Sequence, residues 1–154
     1  MVFRTMGALL LIEAVFMTLA LGVSLWYGEA DSGIFLLSTI ITLLAGVIGL
    51  MVGRRAESRM GEREGYVIVA MVWVVFSAFG LLPYYLSGQV NSITDAWFES
   101  MSGFTTTGAT IIPDLNVITH GLLFWRSLTQ WMGGMGIIVL SIAILPIFGL
   151  NGMQ

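Results

Sequence analysis

The sequence predicts an all-α integral membrane protein with four transmembrane helices and one short re-entrant helix. Hydrophobic residues make up 57% of the 154-residue chain and charged residues only 10%, whereas about 25% of a typical soluble domain is charged. So few charges cannot cover a water-soluble surface, and much of the chain must therefore face lipid or other protein. Each of four apolar stretches also reaches the ~20 residues that a helix needs to cross a membrane.

Several counts exclude other classes of function. The chain has no Cys and one His, so disulfides, thiolate catalysis and Cys-ligated metals are excluded, and a multi-histidine metal site is disfavoured. A formal net charge of -3 gives no reason to expect a nucleic-acid partner.

The four apolar stretches are interpreted as helices, because an open strand would leave backbone groups unpaired in lipid. The first two, within residues 1–53, form an accessory pair, and residues 54–65 connect them to the rest. The third span, the outer helix, covers residues 66–87, and the fourth, the inner helix, covers residues 120–148.

The placement of the arginines predicts how the chain is oriented across the membrane. The 54–65 connection carries four arginines, whereas the 28–32 connection carries Glu29 and Asp31 and no base. The positive-inside rule makes the arginine-rich loop, Arg4 and both termini cytoplasmic. A topology signal is the simpler interpretation of this cluster, and docking of a cytoplasmic partner is the alternative. The four arginines are Arg54, Arg55, Arg59 and Arg63.

The connection between the third and fourth spans is too elaborate for a simple loop. Ser92 can cap a short helix over residues 92–104, with Asp95 at its third position. That helix is too short to cross the bilayer, and the Thr/Gly segment 105–110 follows it. A short helix and an irregular segment between two spans are typical of a re-entrant pore helix and its filter loop.

The filter segment suits a cation that must exchange water for main-chain oxygens. The threonines favour extended backbone, and Gly108 allows dihedrals that are closed to other residues. The negative end of the pore-helix dipole, near Phe104, would point at the ion. The alternative interpretation of the Thr-Thr-Thr-Gly sequence at residues 105–108 is an ordinary surface turn. The predicted filter residues are Thr106, Thr107, Gly108 and Ala109.

Two stretches closely resemble the Trk/Ktr/HKT potassium transporters. Residues 95–110, DAWFESMSGFTTTGAT, look like the first pore loop of that family. Residues 124–140, FWRSLTQWMGGMGIIVL, look like the helix that follows it, and residues 144–146 and 152–154 fit the same pattern. The two spans before the pore unit resemble the bacterial TrkH branch, since KtrB-type members begin directly with the pore unit.

The resemblance implies potassium uptake across a bacterial inner membrane, with no covalent chemistry. Potassium would bind at Thr106, Thr107 and Gly108, and glycine rather than serine at position 108 favours potassium over sodium. The implied partners are membrane lipid, the remaining pore units, a second copy of the full protein and a cytoplasmic nucleotide-binding regulatory subunit.

Residues 66–154 contain one membrane–pore–membrane unit, whereas the family has four in one polypeptide. One unit cannot conduct alone, so we expect a truncated form of a longer protein. A small homotetrameric cation channel is the alternative. A membrane-embedded enzyme or a non-pore assembly subunit is a remote third possibility, because no catalytic cluster is found.

Some further residues carry separate hypotheses. Glu99 and Arg126 are charges near membrane depth, and we hypothesise that they pair behind the filter and support it, the alternative being separate solvation. Glu13, inside the first span, is expected to be protonated or hydrogen-bonded. Close packing is favoured over a gating hinge for Gly133, Gly134 and Gly136, and His120 is interpreted as an ordinary residue near water.

Overall fold

A computed structural model describes residues 2–55 and 62–149, and gives the backbone alone for residues 55, 62–66 and 139–149. These residues form helices and connections, without a strand in either described range. Arg59 and the motif at residues 152–154 lie outside the described residues. The elements are α1 (Val2–Tyr27), α2 (Ser32–Val52), a 3-10 turn (Gly53–Arg55), α3 (Glu62–Gly80), α4 (Leu82–Leu86), α5 (Ile93–Phe104) and α6 (His120–Gly149).

Three segments within the described part are long and apolar enough to cross a membrane: Val2–Tyr27, Ser32–Val52 and Val67–Leu86. The predicted all-helical membrane fold is therefore confirmed. The predicted fourth span corresponds to the 30-residue helix α6. Because the side chains of its last turns lie outside the description, a count of four spans stays a prediction.

The third predicted span, 66–87, is interrupted near its end. Helix α3 stops at Gly80, and α4 begins at Leu82 with Pro83 in its first turn. A proline ring clashes with the carbonyl four residues before it, which explains a break at this position. The Gly80 carbonyl accepts a hydrogen bond of 3.0 Å from the indole Nε1 of Trp125, a fully buried residue of α6. The carbonyl at the break therefore forms a hydrogen bond that joins α3 to α6.

Glu13 of α1 is completely buried. It shares the interior with large apolar side chains that come from several helices. Neither carboxylate oxygen of Glu13 has a hydrogen-bond partner among the described residues. An isolated ionised carboxylate is too costly in such surroundings, so Glu13 is expected to be neutral. The largest buried apolar side chains are Trp125, Tyr84, Phe35, Phe104, Met17 and Leu122.

The acidic connection between α1 and α2 caps the start of α6. Glu29 Oε1 accepts hydrogen bonds from the backbone N–H of His120 (2.7 Å), and Oε2 accepts one from that of Gly121 (3.0 Å). The ring nitrogen Nδ1 of His120 lies 2.8 Å from Oε1, and Tyr27 stacks on the ring with centroids 4.0 Å apart. A carboxylate at a helix N-terminus satisfies unpaired donors and is favoured by the helix dipole.

Asp31 makes the second contact of this connection with α6. Its carboxylate accepts hydrogen bonds from the hydroxyls of Ser24 and Thr119, the latter immediately before α6. His120 begins α6 and is exposed, as predicted for a residue at a helix entry near water. The contacts of Glu29 and Asp31 add what the sequence did not show, namely that the start of α6 is joined to the connection between α1 and α2.

The pKa of Glu29 predicts a pH dependence for this junction. Burial raises the pKa of Glu29, but hydrogen bonds from the backbone N–H groups of Gly121 and His120 and from the His120 ring outweigh it and hold that pKa below its usual value. A carboxyl with a lowered pKa stabilises the folded state above its unfolded pKa, ~4.3 for Glu, and loses this contribution as the pH falls through the folded pKa.

We therefore expect Glu29→Gln to lower the free energy of unfolding by about 1 kcal/mol at neutral pH, as the loss of a helix cap does. Below the folded pKa the difference from the wild type should shrink, because the wild-type carboxyl is then also uncharged. Thermal unfolding in detergent across this pH range measures both effects. Asp114→Asn, which removes a charge from an exposed carboxylate elsewhere in the chain, is the matched control. If the unfolding free energies of the wild type and Glu29→Gln depended equally on pH, the assignment of Glu29 as a charged cap of α6 would be contradicted.

Candidate functional site

The short helix α5 carries the candidate site at its C-terminal end. Ser92 is its N-cap, as the sequence predicted, and the Ser92 hydroxyl accepts a hydrogen bond from the backbone N–H of Thr94 at 3.2 Å. With 12 residues, Ile93–Phe104, the helix is about 18 Å long at ~1.5 Å per residue and cannot cross a hydrocarbon layer of ~30 Å. Its buried residues are Ala96, Glu99, Ser100, Ser102, Gly103 and Phe104.

Two glycines let α5 and α6 approach closely. A Cβ atom on Gly103 would lie 2.3 Å from the hydroxyl oxygen of Thr129, and one on Gly133 would lie 2.0 Å from the carbonyl oxygen of Phe104. Neither position has room for a side chain. The close-packing interpretation therefore fits Gly133, whereas a Cβ on Gly134 would have its nearest neighbour at 3.9 Å.

The last turn of α5 ends in a Schellman motif. The N–H of Thr107 bonds to the carbonyl of Ser102 at 3.0 Å, and that of Thr106 bonds to the carbonyl of Gly103 at 2.9 Å. This arrangement needs a left-handed residue after the helix, usually glycine. Thr106 has a φ of 58° there, so the expectation of extended backbone is wrong at this residue. A β-branched residue in this conformation is uncommon, and such backbone outliers cluster at functional sites.

The predicted filter segment, residues 105–110, is non-helical and exposed along its whole length. Gly108, at its centre, has a φ of 74°, a value that glycine adopts without strain. A Cβ at this position would have its nearest contact at 3.8 Å, from the side-chain nitrogen of Gln130. Backbone conformation, rather than lack of space, is therefore the reason that glycine suits position 108.

A buried carboxylate, Glu99, holds the loop from behind. Its Oε1 accepts a hydrogen bond from Nε of Arg126 at 2.9 Å. Its Oε2 accepts bonds from the Thr110 hydroxyl at 3.0 Å and from the Ile111 N–H at 3.2 Å. Because Glu99 is only 1% exposed, these groups replace the water that an ionised carboxylate would otherwise need.

Two loop carbonyls accept hydrogen bonds from side chains of the flanking helices α5 and α6. Nη2 of Arg126 donates to the Gly108 carbonyl at 2.9 Å, and the Ser102 hydroxyl donates to the Ala109 carbonyl at 2.6 Å. Each carbonyl oxygen keeps a second lone pair. Arg126 thus contacts both the buried carboxylate and the centre of the loop.

The carbonyl oxygens of Thr106 and Thr107 accept no hydrogen bond from the part of the chain that the structure describes. They belong to an exposed segment whose two ends are both held, on one side by the Schellman motif and on the other by Glu99. Main-chain oxygens held in this way can replace water around a cation without a large rearrangement of the loop.

The structure brings every predicted site residue into one region. Thr106, Thr107, Gly108 and Ala109 form the loop, and the hypothesised partners Glu99 and Arg126 lie 2.9 Å apart behind it. Sequence reasoning placed Thr110 at the end of the filter segment but missed its hydrogen bond to Glu99, and it missed the contact of Ser102 with the loop. Ser102 lies three residues after Glu99 on the same helix face, which was a usable signal, whereas nothing in the sequence marked Thr110 as a partner of Glu99.

The chain is similar to known proteins along nearly its whole length. Residues 31–154 match the model of a family described as TrkH, cation transport protein. The Trk system potassium uptake protein TrkH of Salmonella typhimurium is 43% identical over 152 residues, which cover 98% of this chain and 32% of that protein. The TrkH protein of Vibrio parahaemolyticus is 40% identical over 154 residues, which cover 99% of this chain and 32% of that protein.

The fold is also similar to a solved structure. The crystal structure of the potassium transporter TrkH from Vibrio parahaemolyticus superposes with a TM-score of 0.89 at 38% sequence identity. The match covers 99% of this chain and 33% of that one. The chain therefore spans about a third of the length of the relatives that it matches.

The glycine contacts predict opposite effects at two adjacent positions of α6. Gly133→Ala should lower the free energy of unfolding by about 1–3 kcal/mol, because the added methyl group overlaps the Phe104 carbonyl and forces α5 and α6 apart. Gly134→Ala, the matched control, should be neutral or stabilising by up to about 1 kcal/mol, since alanine favours a helix and has room there. Thermal unfolding in detergent measures both, and equal midpoints for the two variants would refute the packing.

Loss of Arg126 should be costly because it leaves a buried charge unpaired. Arg126→Gln is expected to lower the free energy of unfolding by about 3 kcal/mol or more. Adding Glu99→Gln to this variant should recover a large part of the loss, since neither side chain is then charged. A double-mutant cycle on unfolding free energies measures the coupling. Strictly additive effects of the two single substitutions would contradict an energetically coupled pair.

Proposed function

The chain belongs to the TrkH family of cation transport proteins, and we propose that it supplies one quarter of a potassium-selective pore. The observation that carries this proposal is the exposed loop 105–110, which follows a helix too short to cross the membrane and is held from behind by Glu99 and Arg126. A loop on the outside of an isolated unit is what a pore wall requires, because the other units complete the ring.

The proposed architecture is four transmembrane helices with one re-entrant pore helix. Residues 1–53 form the accessory pair, residues 54–65 the loop, and residues 66–154 the membrane–pore–membrane unit. Support comes from the three apolar spans, from the length of α6 and from the relatives, in which the matched segment is about a third of one longer chain. The other pore units are then the first partners of this segment.

In the proposed mechanism, potassium is the transported substrate and exchanges part of its water for main-chain oxygens. Thr106 and Thr107 offer carbonyls that are not engaged by the described residues, and Gly108 and Ala109 offer second lone pairs. Arg126 keeps the Gly108 carbonyl in place, while the C-terminal end of α5 contributes a negative potential at the loop. Uptake follows the electrochemical gradient, with ~2.3 kcal/mol per charge at 100 mV.

The protein is a multi-pass bacterial membrane protein, and we assign it to the inner membrane with both termini cytoplasmic. Support for that orientation is the arginine content of the loop 54–65, opposite the acidic connection at Glu29 and Asp31. The full protein is proposed to dimerise and to work with a cytoplasmic nucleotide-binding regulatory subunit, on the resemblance to the Trk systems alone.

Substitution of Gly108 tests the filter. In a conducting assembly with all its pore units, Gly108→Ser should lower the preference for potassium over sodium by about tenfold or more, equivalent to ~1.4 kcal/mol. The reason is that a side chain at a φ of 74° is strained and shifts the carbonyls of the loop. Potassium and sodium flux into liposomes measures the ratio.

Gly88→Ser is the matched control, since Gly88 has a similar φ of 69° and has nothing within 4 Å of an added Cβ. It should be strained to a similar degree but leave the selectivity unchanged. Unaltered selectivity of Gly108→Ser in a conducting assembly would overturn the filter assignment, and an equal change in both variants would show a general effect of strain.

A further inference from the structure

A groove lies at the end of the α1–α2 pair that is opposite the Glu29–Asp31 connection. It combines two cationic side chains with an apolar wall. It has a volume of about 470 Å³ and lies where α1 begins and α2 ends. Arg4 and Arg54 contribute the charges, and the wall consists of Val47, Leu50 and Met51. None of these residues belongs to the candidate site or to its supporting contacts.

Close packing of the two helices brings the arginines to one edge. A Cβ on Gly7 would lie 2.6 Å from the Gly46 carbonyl oxygen, so α1 and α2 touch through their backbones. A Cβ on Gly53 would lie 2.5 Å from the backbone nitrogen of Arg4. Because Gly53 directly precedes Arg54, the two arginines are fixed next to each other by the backbone.

The two arginines have no carboxylate partner within the described residues. The ion pairs found there join Glu29 to His120 and Glu99 to Arg126. Two guanidinium groups at one edge repel each other and attract an anion. The charge of the groove therefore favours an anionic ligand.

The position of the groove favours a lipid as the source of that anion. Helices α1 and α2 are both long enough to span the membrane, so the start of α1 and the end of α2 lie together at one membrane surface, the level of the phosphate groups. The apolar wall faces outward, with Val47 38% and Met51 62% exposed. A free anion would use the arginines but leave this wall uncovered.

We propose that this groove binds an anionic phospholipid. The phosphate lies between Arg4 and Arg54, whose guanidinium groups suit bidentate contacts with phosphate oxygens. An acyl chain covers Val47, Leu50 and Met51. An anionic headgroup such as phosphatidylglycerol complements the two cations, whereas phosphatidylcholine adds a positive group that the arginines repel.

Lipid titration followed by native mass spectrometry of the detergent-solubilised protein tests the proposal. Phosphatidylglycerol should bind at least about tenfold more tightly than phosphatidylcholine, and the double substitution Arg4→Gln with Arg54→Gln should abolish this difference. Both side chains are exposed, so the fold should be retained, which the thermal unfolding midpoint checks. Met51→Glu, which introduces a carboxylate and leaves both arginines in place, should also weaken phosphatidylglycerol binding.

Two comparisons separate the groove from simpler explanations. Arg59→Gln with Arg63→Gln also removes two positive charges, from the loop that follows Arg54 in the sequence, and should leave most of the preference for phosphatidylglycerol. An equal loss in both double variants would overturn the proposal in favour of diffuse attraction to the arginine cluster. Inorganic phosphate should not displace phosphatidylglycerol at equal concentration, and displacement would identify a free-anion site instead. Equal binding of both lipids by the wild type would also refute the proposal.

Discussion

A carboxylate without access to water must receive its hydrogen bonds and its counter-charge from the protein, and Glu99 is such a group. Its three donors come from different places: the Arg126 side chain on α6, and the Thr110 hydroxyl and Ile111 N–H at the end of the loop. Satisfying one buried charge therefore ties the short helix, the loop and the long final helix together. The shape of the loop follows from this requirement.

Close backbone contacts hold that arrangement together. Gly103 and Gly133 bring α5 against α6, and the break after Gly80 supplies a carbonyl for Trp125. At the start of α6, the carboxylate of Glu29 accepts hydrogen bonds from the first two backbone N–H groups. Helices α1 and α2 are thus joined to α6 by hydrogen bonds as well as by apolar packing.

Sequence reasoning went furthest where a single local rule decides the outcome. The apolar stretches predicted the membrane helices, because backbone groups in lipid must bond within their own segment. The start of α5 was predicted at Ser92, because a serine side chain can accept a hydrogen bond from one of the backbone N–H groups that a helix start leaves unpaired. The hypothesis that Glu99 pairs with Arg126 came from the cost of charge near membrane depth, and the two side chains are in contact.

By itself, then, the sequence determined the helical membrane class, the place of the loop and the residue types available for it. Only the tertiary structure decided the left-handed conformation of Thr106, the capping of α6 by Glu29 and the contact of Arg126 with the Gly108 carbonyl. The physical reason is that propensity and hydropathy describe a residue and its near neighbours. The contacts of Glu29 and Arg126 depend instead on donors and acceptors that meet only after the helices have packed, up to 92 positions apart in the chain. Thr106 departs from its extended propensity because its N–H and that of Thr107 close the last turn of α5.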